Sequence, residues 1–177
     1  MGAGILPVAL YKGTVYVLLG QERYNNNLWV DFGGSSYKNE RNNPFKTAIR
    51  EGSEELNGLY GTEEILNENV QNNLLLTITS KNDRYTTYIF ETIYNDYLPI
   101  HFQLQNQFFE KHLNYEIRDP DNGLFEKINI KWFSIRDLDN PETKKIIRPY
   151  YNVILETIVK QEKLIKSKLL DSKLIHS

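Results

Sequence analysis

The run Arg50-Glu51-Gly52-Ser53-Glu54-Glu55-Leu56 sets the tightest constraint on what this chain can fold into. Three carboxylates crowd into five consecutive positions, at Glu51, Glu54 and Glu55. An α-helix turns about 100° per residue, so these three fall on one side as an acidic stripe. Phe45, Ala48, Ile49, Gly52 and Leu56 fall mostly on the opposite, apolar side. Like charges at these spacings repel and cost an isolated helix a few tenths of a kcal/mol each. A cation offsets that repulsion, and three hard oxygen ligands on one face suit Mg²⁺. An acidic helix face is also a common solvated surface, so the flanking sequence has to decide.

Upstream, Trp29-Val30-Asp31-Phe32-Gly33-Gly34 reads as a strand entering a glycine turn. Glu40 follows, then Asn42-Asn43-Pro44, which supplies cap candidates and a proline suited to the first helical turn. The order strand, Gly-Gly loop, acid, capped helix and Arg-Glu…Glu-Glu resembles the box of the Nudix hydrolase family. Its pattern is carried by Gly34, Glu40, Arg50, Glu51, Glu54, Glu55, Leu56 and Gly58. Three departures stand out. Nine residues separate Glu40 from Arg50, two more than the family pattern. Gly52 replaces an apolar residue and costs the helix about 1 kcal/mol relative to Ala, unless it admits a close neighbour on the core side. Asn57 takes the usual glycine position, and Asn is the next-best residue for a left-handed helix exit.

The resemblance implies an α/β fold: a Nudix-type α/β/α sandwich with a mixed central sheet and a catalytic helix after the Gly-Gly loop. It implies Mg²⁺ or Mn²⁺ as cofactor, held by Glu51, Glu54, Glu55 and the carbonyl of Gly33. Glu54 and Arg50 are the implied catalytic pair, with Arg50 orienting carboxylates by pairing with Glu40 or with a metal-binding acid. Gly34 and Glu40 belong to the frame of the motif. A further glutamate, base or extra ligand, often precedes a Trp-bearing strand in the family; Glu126 is the choice, with Glu116 second. Arg23 matches a basic residue near the substrate, and a surface arginine at a strand end is the plain alternative. Tyr24, Tyr37 or Phe32 can stack a base, although aromatic residues are as often core. The implied activity is metal-dependent cleavage of the pyrophosphate bond of a nucleoside diphosphate linked to another group. The alternatives are an mRNA-cap hydrolase of the same fold and a non-catalytic nucleotide-binding module.

The composition agrees with one domain spanning 1–177. The chain has 40% hydrophobic and 12% aromatic residues, enough for a sizeable core. Its net charge of −2 offers no global basic field for nucleic acid, so RNA as a partner is disfavoured. The lysines of the tail, Lys160, Lys163, Lys166, Lys168 and Lys173, leave RNA open, with a solvated helix face the safer reading. Cysteine is absent, which excludes disulfides and fits a reducing, cytoplasmic setting. No apolar run reaches about 18 residues, so no membrane span is expected. Nor does the start of the chain have the layout of a secretion signal or a myristoylation site. A homodimer is compatible with the resemblance.

Along the chain, Ala3–Leu10 and Val15–Leu19 read as a hairpin, and Leu28–Phe32 as the strand feeding the box. Glu63–Leu66 reads as one helical turn, and Leu74–Thr79 and Tyr85–Ile93 as a second hairpin. Ile100–Leu113 has a helical apolar side, Asp119–Gly123 is a loop cluster and Ile128–Phe133 alternates as a strand. A C-terminal helix is expected over about 141–170, split at Pro149, with a tail that frays. His101, His112 and His176 have no mutual ligand spacing and receive no chemical role.

Overall fold

The computed structural model describes residues 1–80, 84–112 and 125–175. The chain opens with β1 (Gly2–Tyr11) and β2 (Thr14–Glu22), joined across Lys12-Gly13 with both residues at positive φ. Five further strands complete the sheet: β3 (Trp29–Val30), β4 (Phe32–Ser35), β5 (Leu74–Thr79), β6 (Tyr85–Glu91) and β7 (Lys127–Ser134). The axis is β1. Its first half pairs antiparallel with β4, its second half antiparallel with β2, and its other edge runs parallel to β6. Strand β5 lies outside β6, while β3 and β7 both pair with β2. Among the described residues the sheet is therefore mixed and seven-stranded.

Between β3 and β4 the chain crosses from the edge of β2 to the edge of β1, and the sheet forks there. Asp31 marks the crossing. It is fully buried and accepts hydrogen bonds from the Tyr85 hydroxyl (2.8 Å) and the Thr87 hydroxyl (2.9 Å). Burial pushes its carboxyl up to about 6, against the pull of these donors. The sequence reads Leu28–Phe32 as one strand and Gly33-Gly34 as a turn. Instead the strand breaks at Asp31, and the two glycines continue as β4. The reason is crowding: a side chain at Gly33 would collide with Gly4 and with the Tyr85 hydroxyl. The glycines serve close strand approach here, not reversal.

Helices cover both faces. On one face α1 (Pro44–Glu55), α2 (Glu63–Asn72) and α3 (Leu98–His112) enclose a core that includes Ile5, Leu18, Phe32, Ala48, Leu56, Leu66 and Phe102. On the other, α4 (Ile135–Leu138), α6 (Asn152–Lys160) and α7 (Glu162–Ile175) cover a core that includes Leu6, Val17, Ile89, Ile154, Ile158 and Ile165. A short α5 (Pro141–Lys145) connects α4 to this layer. Gly52 is explained by packing: a Cβ there would stand 2.5 Å from Ile5 Cδ1.

Two helical expectations change in extent. Glu63–Leu66 is the start of the ten-residue α2, capped by the Thr62 hydroxyl and buried through Leu66 and Val70. The C-terminal helix is three helices. Around Pro149 the backbone instead bridges β3: the Trp29 N–H donates to Ile146 O (2.8 Å) and the Arg148 N–H to Trp29 O (3.0 Å). A second break falls at Gln161, and the lysine-rich tail then packs through Ile165 and Leu169. Among the described residues no helix is long and apolar enough to cross a membrane. The loop Asp119–Gly123, Leu113, Glu116 and His176 lie outside the described residues.

Candidate active site

Helix α1 starts where the sequence says it should. Asn43 caps it, its side chain accepting from the Lys46 N–H (3.2 Å), with Pro44 in the first turn. The loop before it contains a 3-10 turn, Lys38–Glu40, that aims Glu40 back at α1. Glu40 is 2% exposed and well satisfied. It accepts from the Tyr37 N–H (3.1 Å), the Thr47 hydroxyl (3.1 Å), Arg50 Nε (3.0 Å) and Arg50 Nη2 (3.1 Å). The Arg50 guanidinium beside it holds its carboxyl below the ordinary carboxylate range.

Arg50 uses its whole fork. Nη2 also donates to Glu51 Oε1 (2.9 Å) and to the Ser35 carbonyl (3.2 Å), and Nη1 donates to Glu54 Oε2 (3.1 Å). The Tyr37 ring lies 4.0 Å from its central carbon. Only a planar guanidinium supplies this many donors in fixed directions. Glu51, Glu54 and Glu40 are thereby tied to one cation.

Glu55 departs from the stripe. It turns inward, is 2% exposed, and accepts from the Gly33 N–H at 2.8 Å. Its other oxygen stands 3.0 Å from the ammonium of Lys127, at the start of β7. The Gly33 N–H thus points out of the β1–β4 ladder toward Glu55. Lys127 also lies 3.7 Å from Glu22, which Arg148 meets from the other side at 2.9 Å.

Glu126, next to Lys127, is half-buried and within electrostatic reach of Glu51, Glu54 and Glu55. Its placement comes from a brace of polar contacts. Arg23 donates its N–H to the Glu126 carbonyl (2.8 Å) and Nε to the Phe125 carbonyl (3.1 Å), and its guanidinium pairs with Glu110 of α3 (2.8 Å). Asn57, at φ +51°, donates to Asn106 (3.0 Å) and accepts from the Phe125 N–H (3.4 Å). A glycine at that helix exit could make neither contact.

The electrostatics of the set follow. Burial raises the carboxyls of Glu51, Glu54, Glu55 and Glu126; Arg50 pulls the first two down and Lys127 the last two, while neighbouring acids raise all four. Carboxylates outnumber cations in a half-buried cleft, and hard oxygen donors with surplus negative charge fit a divalent ion such as Mg²⁺ or Mn²⁺. Among the described residues no three acids or histidines already enclose an ion point, because Arg50 and Lys127 hold them in separate groups.

Other expected residues lie apart. Tyr24 is exposed on the loop after β2, and Tyr37 lies against Arg50. Phe32 is fully buried and cannot stack a ligand. His101 and His112 are exposed on α3. The sequence reading missed Lys127, Glu22, Arg148 and Tyr150, a partly exposed ring edge-on to Tyr85 (5.4 Å) beneath Arg148.

A crystal structure of a C. elegans Ap4A hydrolase binary complex is similar to this chain with TM-score 0.51 and 19% identity, over 89% of this chain and 95% of that one. The chain has a Nudix fold. A second crystal structure of C. elegans Ap4A hydrolase gives TM-score 0.46 and 17% identity over 88% and 92% of the two chains. The NUDIX domain of Shewanella oneidensis NrtR complexed with ADP ribose gives TM-score 0.43 and 11% identity over 92% and 84%. No protein-family model and no curated protein matches the sequence. In this Nudix fold the acidic turn of α1 lies at the fork of the sheet, facing β4 and the start of β7.

Proposed function

We propose that this protein is a divalent-metal-dependent diphosphohydrolase that cleaves the pyrophosphate bond of a nucleoside diphosphate linked to another group. The observation that carries this reading is the Arg50 clamp, which ties Glu40, Glu51 and Glu54 together within electrostatic reach of Glu126. Glu51, Glu54, Glu55 and the Gly33 carbonyl are the candidate holders of Mg²⁺ or Mn²⁺. When bound, such an ion neutralises the phosphate charge that repels an attacking water. Arg50 orients the carboxylates and does not reach substrate, because its donors are spent on Glu40, Glu51, Glu54 and Ser35. Glu126, with its carboxyl raised by burial, is the candidate base: a raised value brings a carboxylate nearer to neutral pH, where proton acceptance is most effective. Arg23 and Tyr24 are the candidate substrate contacts, although Tyr24 lies apart from the acids, and Arg23 is engaged with Glu110 and Phe125 and must exchange a partner to bind phosphate.

The test is a panel of Ap4A, ADP-ribose, nucleoside triphosphates and capped RNA with Mg²⁺ or Mn²⁺, with products resolved by chromatography. Cleavage of one or more small nucleotides at the anhydride supports the reading. Cleavage of capped RNA alone moves the assignment to a cap hydrolase. No turnover, with nucleotide binding retained, moves it to a sensing module.

A further inference from the structure

Helix α3 has an inner face that is fully committed. Phe102 is buried in the core, and Asn106 donates to the Lys127 carbonyl (2.9 Å) and accepts from Asn57 (3.0 Å). The opposite face is apolar as well. Tyr97, just before the helix, then Ile100, Leu104 and Phe108 recur at spacings of three and four residues, and each is more than half exposed. That spacing stacks side chains into one stripe along a helix, here on the side away from Phe102. A helix that covers one core needs one apolar face. A second apolar stripe, left in solvent, marks a contact surface. The described residues of this chain do not cover it, since all four side chains stay exposed.

We propose that this stripe is a self-association surface, and that its occupant is α3 of a second copy of the chain, packed antiparallel about a two-fold axis at Leu104. The charges at the two ends of the helix carry the choice of occupant. Asp96 stands exposed before the first turn, beside the Tyr94 hydroxyl, and Lys111 and His112 close the last turn. A copy laid end for end brings Asp96 of each chain to Lys111 and His112 of the other. In the same register Ile100 meets Phe108, Leu104 meets its own copy, and Tyr97 lies against the Lys111 ammonium as a cation–π contact. A two-fold interface requires this self-complementarity, whereas a parallel copy would set like charges together at both ends. The stripe is flanked at its centre by the uncharged Gln103 and Gln107, so nothing repels at the axis. The remaining charged residue of α3, Glu110, is paired with Arg23 of its own chain (2.8 Å). The stripe offers roughly a few hundred Å² per copy, below the roughly 800 Å² of a standard interface, so the association is weak and concentration-dependent. It does not rest on the hydrolase reading.

The test is sedimentation equilibrium of the full chain from about 1 μM to about 300 μM, a range that spans weak association. The wild type should shift from monomer to dimer within it. Leu104→Glu sets two carboxylates face to face on the axis and should weaken association about tenfold or more. Asp96→Lys should weaken it about threefold or more by opposing Lys111, and adding Lys111→Asp should restore it. These side chains are exposed, so the variants should keep the wild-type circular dichroism. A second readout uses the absence of cysteine from the chain. Helices packed about 8–10 Å apart bring facing Cα atoms to about 5 Å, within disulfide reach. Under copper phenanthroline, Leu104→Cys should therefore form a covalent dimer, and Gln103→Cys, turned away from the axis, should form far less. A wild type that stays monomeric, a Leu104→Glu variant that still dimerises, or a double charge reversal that fails to restore association overturns the proposal. So does equal crosslinking at both cysteines. Each of these results leaves the hydrolase reading untouched.

Discussion

The two cations of the cleft hold acids in opposite ways. Arg50 works at the rim: its side chain is partly exposed, it spends directed hydrogen bonds on three glutamates, and it belongs to the motif itself. Lys127 works at the floor, without solvent contact, arriving on a strand from the far end of the chain. A rim clamp fixes directions, because a planar fork has only a few productive geometries. A buried ammonium is a compact point charge, so it sets charge beside Glu55 rather than the directions of several acids. The same helix therefore offers two acids tied to a partly exposed cation and one tied to a buried cation.

Several substitutions can break or sharpen this contrast. The largest effect is expected for Arg50→Ala. Glu40 is almost fully buried, and an uncompensated buried carboxylate costs about 3–5 kcal/mol. Urea denaturation should show that loss, and Arg50→Lys should recover only part of it, since an ammonium cannot copy the fork. A stability equal to wild type would mean that the clamp is incidental. Next comes Glu54→Gln, which should lower turnover about 100-fold, equivalent to about 2.7 kcal/mol. Steady-state kinetics should place the loss in kcat rather than KM, because a ligand to the ion acts on the charge that develops at the reacting phosphate. Equal turnover would remove Glu54 from the site.

Glu40→Gln should cost about 2 kcal/mol at neutral pH through its charge-assisted bonds to Arg50. Because the folded carboxyl is held below its ordinary value of 4.5, this stability is present above that value and is lost as the pH falls through the lower, folded one. The difference between wild type and Glu40→Gln should thus be constant near pH 7 and shrink below about pH 4.5. A difference that grows in acid would reverse the assignment. The smallest effect is expected for Asn57→Gly, which keeps the left-handed helix exit but loses the links to Asn106 and Phe125. It should cost about 1 kcal/mol. Hydrogen exchange should rise at the Phe125 N–H while α1 stays protected.

The motif half of the site was legible because it is local. Asn43-Pro44, Arg50 and the glutamate spacing all act within one loop and one helix, where periodicity determines which side chains meet. The left-handed exit at Asn57 was legible for the same reason. The floor was not. Lys127 beside Glu126 looks in sequence like a surface charge pair at a strand end, and Glu22 like the polar exit of a hairpin. Only the bulge in β2 and the pairing of β2 with β7 turn them inward. Gly33-Gly34 were read as a turn because adjacent glycines usually mark one; that the glycines permit close strand packing depends on Gly4 and Tyr85, which lie elsewhere in the chain. The split of the C-terminal helix at Pro149 was legible from the proline, whereas the bridge to Trp29 that fills it and the second break at Gln161 are contacts and ends that no helical periodicity reveals.

The most direct measurement is a crystal structure grown with Mn²⁺ and read through its anomalous signal. The expected result is an ion bound at the acidic turn of α1 by Glu51, Glu54 and Glu55. An empty acidic ridge, with its carboxylates pointing apart, would contradict the account.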